Sequence, residues 1–375
     1  MIYIDVSTAV HSRAGLGRYA ERIAQSIGSH RPIHLFHNMA ADGKIPAALK
    51  AFPRKSIRAG FKPWRMAILL AHLTRCSFHR LVPEATLFHS TEHLLMPLHS
   101  VPTVMTVHDL IFKLFPEYHK SLNYYYLNLA MPIYCRNATA LITVSESSKR
   151  DIVTHYGINP EKVHVVYEAP AAHFKPAAPE AITAARAKYQ LPKRYILHIG
   201  TLEPRKNIPA LIEVVARLRA QGDPELGLVL AGAKGWLFDE IFEMSSRPER
   251  AGVVQALGFV PDDDLAAVIS GAVLGVQPSI YEGFGLPVLE HMACGQVVAC
   301  SNRSSLPEVG GDAAVYFDPE DQNDMLAVIQ GILSNQEEYK KRQTAGLAHA
   351  AQFSWDRAAR ETLEVYDQVR DRLKQ

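Results

Sequence analysis

From Tyr195 onward the chain repeats one arrangement: a short apolar run, then a segment with helical periodicity. The runs are RYILHIG, GLVLAG, VVQALG, LGVQPS, QVVAC and AAVYF, and segments such as NIPALIEVVARLRAQG and PDDDLAAVISGA lie between them. Near-continuous apolar strands separated by helices imply a parallel sheet covered by helices on both faces. The first half follows the same plan less regularly. IYIDVS, PIHLFHN, TLFHS, TVMTVHD and ALITVS read as strands, and GLGRYAERIAQSIG reads as a helix after a glycine turn. At 375 residues the chain exceeds one ordinary core. The expected class is therefore α/β, with two Rossmann-like domains whose parallel sheets face a central cleft.

The Ala- and Pro-rich stretch EAPAAHFKPAAPEAITAARAKYQLP lacks strand character and separates the halves. The expected boundaries are an N-terminal domain over 1–170, a linker over 171–190, a C-terminal domain over 191–355 and a helix over 356–375. Hydrophobic residues at 48% with 21% charged leave no room for a long disordered stretch. The opening MIYIDVSTAV lacks the features of a signal peptide, and no segment reads as a spanning helix. The four cysteines have neither C-x-x-C spacing nor disulfide density, which points to reduced thiols in a cytoplasmic compartment.

Charge is uneven along the chain. Residues 1–175 hold 20 Lys/Arg against 11 Asp/Glu, whereas the remainder holds 20 against 27. The excess concentrates between Asp42 and Glu84, where Lys44, Lys50, Arg54, Lys55, Arg58, Lys62, Arg65, Arg75 and Arg80 occur with no acid. That stretch contains WRMAILLAHL, far short of the roughly 20 residues that cross a bilayer. It reads either as a surface-lying helix at an anionic membrane or as a core helix after a basic loop.

In open α/β sheets ligands collect at the carboxyl ends of strands, so the loops there carry the functional reading. SIYEGFGLPVLEHMACG, residues 279–295, ends a strand and opens a helix, with Pro287 in its first turn and Gly295 at its end. The free N–H groups around Phe284, Gly285 and Leu286 offer an anion site, flanked by the carboxylates of Glu282 and Glu290. The plain alternative is a structural pair for Glu282 and a solvated face for Glu290. In HIGTLEPRKN, residues 198–207, Arg205 and Lys206 stand where a helix begins and suit a diphosphate; a solvated basic face is the alternative. His108 and Asp109 end a first-half strand, where His108 suits either a sugar hydroxyl or a structural role. HSTEHLLMP, residues 89–97, ends the preceding strand and is a candidate lining for an acceptor. Gly15, Leu16 and Gly17 fit the G-x-G-x-x-A pattern loosely. PIHLFHN, however, lacks the terminal acid that binds an adenosine ribose, so a glycine loop facing a diphosphate fits better. Asp262, Asp263 and Asp264 mimic a metal-binding D-x-D pattern but precede LAAVIS, where carboxylates cap a helix. No metal site is expected.

Together these residues resemble glycosyltransferase family 4, retaining enzymes of the GT-B fold. The E-x7-E element from Glu282 to Glu290, the GTLEPRKN, GLGRY and TVHD loops and the ALGFVPDDDL segment occur in the family's order across nearly the whole chain. The resemblance implies a nucleotide-sugar donor on the second domain, an acceptor on the first, and a C-terminal helix crossing back to the first domain. It implies that Glu290 holds the donor ribose, and that Glu282, Gly283 and the amides of Phe284, Gly285 and Leu286 hold the transferred sugar. Arg205 and Lys206, beside Gly200, would neutralise the diphosphate, and Gly15, Leu16 and Gly17 would approach it from the first domain. His108 would contact the sugar near its 6-hydroxyl, and the backbone of Val260 would lie near the base. Glu282, His108, Arg205 and Lys206 form the implied catalytic set. It works without a metal or a cofactor beyond the substrate nucleotide sugar, because stabilising the departing diphosphate is the main task.

Two positions depart from the family pattern: Thr201, where many relatives carry arginine, and Tyr167-Glu168-Ala169-Pro170 in place of a terminal Asn-Gly. The expected function is transfer of a hexose, mannose from GDP-mannose first, to a polysaccharide or a polyprenyl-diphosphate-linked oligosaccharide at the inner face of the cytoplasmic membrane. No nucleic-acid partner is expected. The competing readings are a UDP-hexose transferase, a sugar-nucleotide epimerase, an NAD-dependent oxidoreductase and a silent sugar-nucleotide sensor.

Overall fold

Most of the strands legible as apolar runs are buried along nearly their whole length. The computed structural model describes residues 1–11, 14–38, 45–118, 121–235, 243 and 252–372. The chain divides into two units, Met1–Glu168 with Ser354–Gln375, and Ala169–Phe353. Lys44, part of the basic stretch, lies outside the described residues.

The first unit contains β1 (Ile2–Asp5), β2 (Ile33–Asn38), β3 (Arg54–Ile57), β4 (Leu87–Ser90), β5 (Thr103–Val107), β6 (Ala140–Thr143) and β7 (Val163–Val165). They form one sheet in the order β3-β2-β1-β4-β5-β6-β7, parallel throughout. The second unit contains β8 (Arg194–Ile199), β9 (Leu226–Ala231), β10 (Val254–Gly258), β11 (Leu274–Gln277), β12 (Val298–Ser301) and β13 (Val315–Phe317). Its order is β10-β9-β8-β11-β12-β13, again all parallel. Both units are thus Rossmann-like, as the alternating pattern requires. Strand order reverses at β1/β4 in one sheet and at β8/β11 in the other, which marks the crevices where such sheets take ligands.

Two strands lack an apolar run in the sequence. β3 is an edge strand whose residues, RKSI, alternate exposed and half-buried, and β7 has only three residues.

Residues 171–190, read as a linker, hold helix Pro179–Tyr189 and belong to the second unit. Pro179 opens that helix, Glu180 sits in its first turn and alanines fill it, so a composition that looks loop-like is locally helical. Its Ala185 packs in a core with Tyr195, Leu265 and Val268.

Helix Trp355–Arg372 lies in the first unit against helix Ala14–His30. His30 meets Asp356 at 2.6 Å, and Arg31 holds Asp367 through two bonds of 2.7 and 3.0 Å. Tyr366 is fully buried and its hydroxyl lies 2.6 Å from Nδ1 of His89.

Candidate active site

In the second unit the loops after β8 and β11 flank the switch point. Gly200 leaves β8 at φ +144°, and a β-carbon there would stand 3.6 Å from Nζ of Lys206. The chain then makes a 3-10 turn, Pro204–Lys206, and enters helix Ile208–Ala220 through Asn207 in the left-handed region. This turn swings Lys206 inward, to 5% exposure. Opposite it, Ile280 donates its N–H to the carbonyl of Arg205 at 2.9 Å, fastening the loop after β11 to the loop after β8.

The two loops, which the sequence treats separately, share one buried ion network. Glu282 accepts from Lys206 Nζ at 2.5 Å and from Ser279 Oγ at 2.6 Å on Oε1, and from Arg205 Nη1 at 2.7 Å on Oε2. Arg205 also meets Oε1 of Glu203 at 2.5 Å and donates to the carbonyl of Tyr281. Burial opposes ionisation of Glu282, but the charges of Arg205 and Lys206 with the Lys206 and Ser279 hydrogen bonds hold its carboxyl well below the usual range. Burial and the neighbouring Arg205 pull the Lys206 ammonium down against Glu282, while burial raises Glu203 against Arg205. His198, beneath the loop, is pushed down to about 4 by burial and Lys206 and is neutral. Arg205 and Lys206 are therefore not a solvated face.

Ser304 and Ser305 fix the turn that carries Glu282. The N–H of Glu282 donates to Ser304 Oγ, and Ser305 Oγ donates to the carbonyls of Glu282 and Phe284. Gly285 follows at φ +107°, where a β-carbon would come 2.7 Å from Leu306, and caps helix Leu286–Ala293. Leu286 and Pro287 form the first turn, Gly295 ends the segment at φ +74°, and Glu290 is buried one turn inside. Gly283 and Phe284 lie in the connecting bend, with Phe284 edge-on to Phe353. Val260 follows β10 with its side chain buried in the core. Asp262, Asp263 and Asp264 occupy the first turn of helix Asp262–Ser270. The N-cap is Pro261, without a side-chain cap bond. Asp264 instead accepts from Lys188 and Tyr189 at 2.6 Å each.

In the first unit the glycine loop proves to be helical. Gly15, Leu16 and Gly17 lie in the first turn of helix Ala14–His30, and a β-carbon on Gly17 would come 2.9 Å from the carbonyl oxygen of Thr8. Gly17 thus permits close packing of two backbone segments. Asp5 ends β1 and accepts from both the N–H and Oγ of Ser7, and burial with the charge of Glu92 pushes its carboxyl up to about 7. His108 follows β5. Its Nε2 donates to the carbonyl of Thr91 at 3.0 Å and its Nδ1 lies 3.4 Å from Glu168. Burial opposes the imidazolium, yet Glu168 and Thr91 win, raising His108 above its ordinary value. His89 is a core residue and no acceptor lining. Its Nε2 is bonded to Thr106, and burial pushes it down to about 3. Glu203, Ser279, Ser304, Ser305, Asp5 and the partnership of Glu168 with His108 escaped the sequence reading. Only Asp5, an acid closing an apolar strand, carried a local signal.

Two α/β units built on parallel sheets, with buried Lys206 and half-buried Arg205 at a switch point, fit a GT-B glycosyltransferase. A family model described as "Glycosyl transferases group 1" matches residues 182–348, and one described as "Glycosyltransferase Family 4" matches residues 14–169. The O-antigen chain mannosyltransferase B of Escherichia coli is 32% identical over 367 residues, covering 94% of this chain and 95% of that protein. The serotype-specific mannosyltransferase WbdA of Escherichia coli is 32% identical over 73% of this chain and 34% of its own length. Anabaena HepE, crystallised with UDP and glucose, superposes with a TM-score of 0.75 at 18% identity, over 98% of this chain and 99% of that one. This chain belongs to glycosyltransferase family 4.

Proposed function

We propose that this protein transfers mannose, from GDP-mannose, to a polysaccharide or a lipid-linked oligosaccharide with retention of anomeric configuration. The observation that carries the reading is the buried ammonium of Lys206 at the β8/β11 switch point, next to a glycine that puts no side chain against it. One of its three N–H donors goes to Glu282. The others suit the oxygens of a diphosphate, whose negative charge grows as the sugar departs. Cations fixed away from water stabilise such charge far better than solvated ones. In this reading the positive charge at the leaving group comes from Lys206 and Arg205, and no metal or further cofactor is invoked.

The role of Glu282 narrows accordingly. Oε1 already accepts two hydrogen bonds and Oε2 one, so a single acceptor position remains for a sugar hydroxyl. Its larger task is to keep Arg205 and Lys206 ionised and aimed. Glu290 and the helix N–H groups at Leu286 supply the ribose and sugar contacts, His108 meets the transferred sugar near its 6-hydroxyl, and the first unit receives the acceptor. The choice of mannose rests on the two Escherichia coli mannosyltransferases among the relatives.

Thermal-shift titration with GDP, UDP, ADP and NAD tests the reading, since a ligand of the native state stabilises it as RT ln(1 + [L]/Kd). A rise with GDP alone, abolished by Lys206→Met, supports it. A rise with UDP alone moves the donor to a UDP-hexose, and a response to NAD alone overturns the function.

A further inference from the structure

We propose that, given the transferase reading on which this rests, the donor's diphosphate enters together with one proton, which settles on the buried carboxylate of Glu203. The charges around Lys206 already cancel. Arg205 and Lys206 supply two cations, Glu203 and Glu282 two carboxylates, and the four act on one another. Glu203 is 2% exposed, Lys206 5% and Glu282 8%, so little water screens them. A donor diphosphate brings two further negative charges. Burying them in a neutral cluster leaves an uncompensated excess, which is costly where water is excluded. A proton offsets half of it and needs no cation from elsewhere.

The two carboxylates are held unequally. Glu282 accepts three hydrogen bonds, from Lys206, Ser279 and Arg205. Glu203 meets Arg205 through Oε1 at 2.5 Å, while its Oε2 is buried without a hydrogen-bond partner. An ionised oxygen in that position keeps the full cost of leaving water. Burial accordingly raises the Glu203 carboxyl against the pull of Arg205 and Lys206, and the charge of Glu282 raises it further. Once protonated, Oε2 is an O–H donor, and Arg205 has a neutral partner there. The guanidinium charge is then free to act on the diphosphate. The proton comes from solvent and bonds to Oε2, and no bond of the donor breaks.

His198 is the rival proton acceptor. Its Nδ1 lies 3.1 Å from the carbonyl of Val276 and so carries the hydrogen, which leaves Nε2 a bare lone pair without a partner. A proton at Nε2 would stand against Lys206, however: a β-carbon on Gly200 would lie 3.8 Å from Nε2 and 3.6 Å from the Nζ of Lys206. Protonating His198 sets a cation against a cation, whereas protonating Glu203 removes one of two anions. Lys234, bridged to Leu202 from the segment after β9, is exposed and adds no buried charge.

Calorimetric titration of the full chain with GDP-mannose, in phosphate and in Tris at one near-neutral pH, counts the protons taken up, because each is drawn from the buffer. UDP-glucose replaces it where the thermal shift selects UDP. An esterified diphosphate has no group that titrates near neutrality, so the uptake belongs to the protein. About half a proton or more per bound donor is expected, with affinity falling severalfold for each unit of rising pH. Glu203→Gln copies the protonated acid in shape and charge. It should bind without proton uptake and, above neutral pH, at least as tightly as the parent, which a merely structural role would not produce. An infrared difference spectrum should show a carboxylic-acid band when the parent binds donor and none in the variant. The proton count and the band in the parent decide the matter even where the variant fails to fold. Binding without uptake in the parent overturns the proposal alone, as does uptake that survives Glu203→Gln. Absence of binding by any nucleotide sugar overturns the transferase reading and the proposal with it.

Discussion

Lys206 Nζ and Glu282 Oε1 stand 2.5 Å apart with both side chains buried. Their residues are 76 positions apart in sequence and lie on loops that leave strands β8 and β11 of the same sheet. Removing one partner of such a pair leaves an uncompensated charge, which is worse than removing both. Lys206→Met should therefore destabilise the second unit by about 3 kcal/mol, with Arg205 as the remaining counter-ion. Lys206→Met with Glu282→Gln should recover part of that loss in urea unfolding. The double variant should nevertheless bind GDP about 100-fold more weakly than the parent, because the charge that meets the diphosphate is gone. A double variant less stable than the single one would sink the pairing argument.

Acid should weaken the same network. The folded-state carboxyl of Glu282 lies below its unfolded value, so its contribution is present above the ordinary glutamate range and is lost as pH falls through and below it. Unfolding free energy measured between neutral pH and pH 3 should fall more steeply for the parent than for Glu282→Gln. Parallel curves would show that the pair is already neutral.

The His108–Glu168 contact has the opposite sign. Its imidazolium is favoured on folding, so its stabilisation is complete below the ordinary histidine range and fades as pH rises through the raised folded value. In Glu168→Gln the NMR titration midpoint of His108 should drop, and the alkaline limb of the rate profile should shift the same way. An unmoved midpoint would mean that Thr91, not Glu168, sets the state of the ring.

Gly200 combines a backbone angle that side chains avoid with a place in contact with the buried Lys206. Gly200→Ala should cost about 1–2 kcal/mol of stability through its strained backbone angle, and weaken GDP binding about tenfold by shifting the loop that carries Lys206. Gly232→Ala should be worse, because its β-carbon would fall 1.9 Å from the carbonyl oxygen of Gly200. If calorimetry finds Gly200→Ala equal to the parent in both respects, the approach to Lys206 lies elsewhere.

Strands such as β8 and β9, buried along nearly their whole length, were plain in the sequence because a parallel sheet covered on both faces leaves no polar alternation to confuse the pattern. The edge strand β3 was hidden for the converse reason. Helix Pro179–Tyr189 was obscured by prolines that open a helix as readily as they end one. At the candidate site, glycines and adjacent charges drew attention to Gly200, Arg205, Lys206 and Glu282. Glu203, Ser279 and Ser305 did not stand out, since their roles arise from loops that meet only after the sheet forms. The same holds for Glu168, visible only as a departure from the family pattern until its contact with His108 gave it a partner.

The contact between His89 and Tyr366 spans 277 positions and closes the first unit with the last helix among the described residues. During synthesis, domains fold as their residues leave the ribosome, from the amino end onward. Here that order cannot be completed: residues 169–353 can gather into a finished unit while the first unit still waits for helix Trp355–Arg372. The amino-terminal half, made first, is completed after the second unit, and the gap beside helix Ala14–His30 is shielded by a chaperone or left wet until helix Trp355–Arg372 has been made.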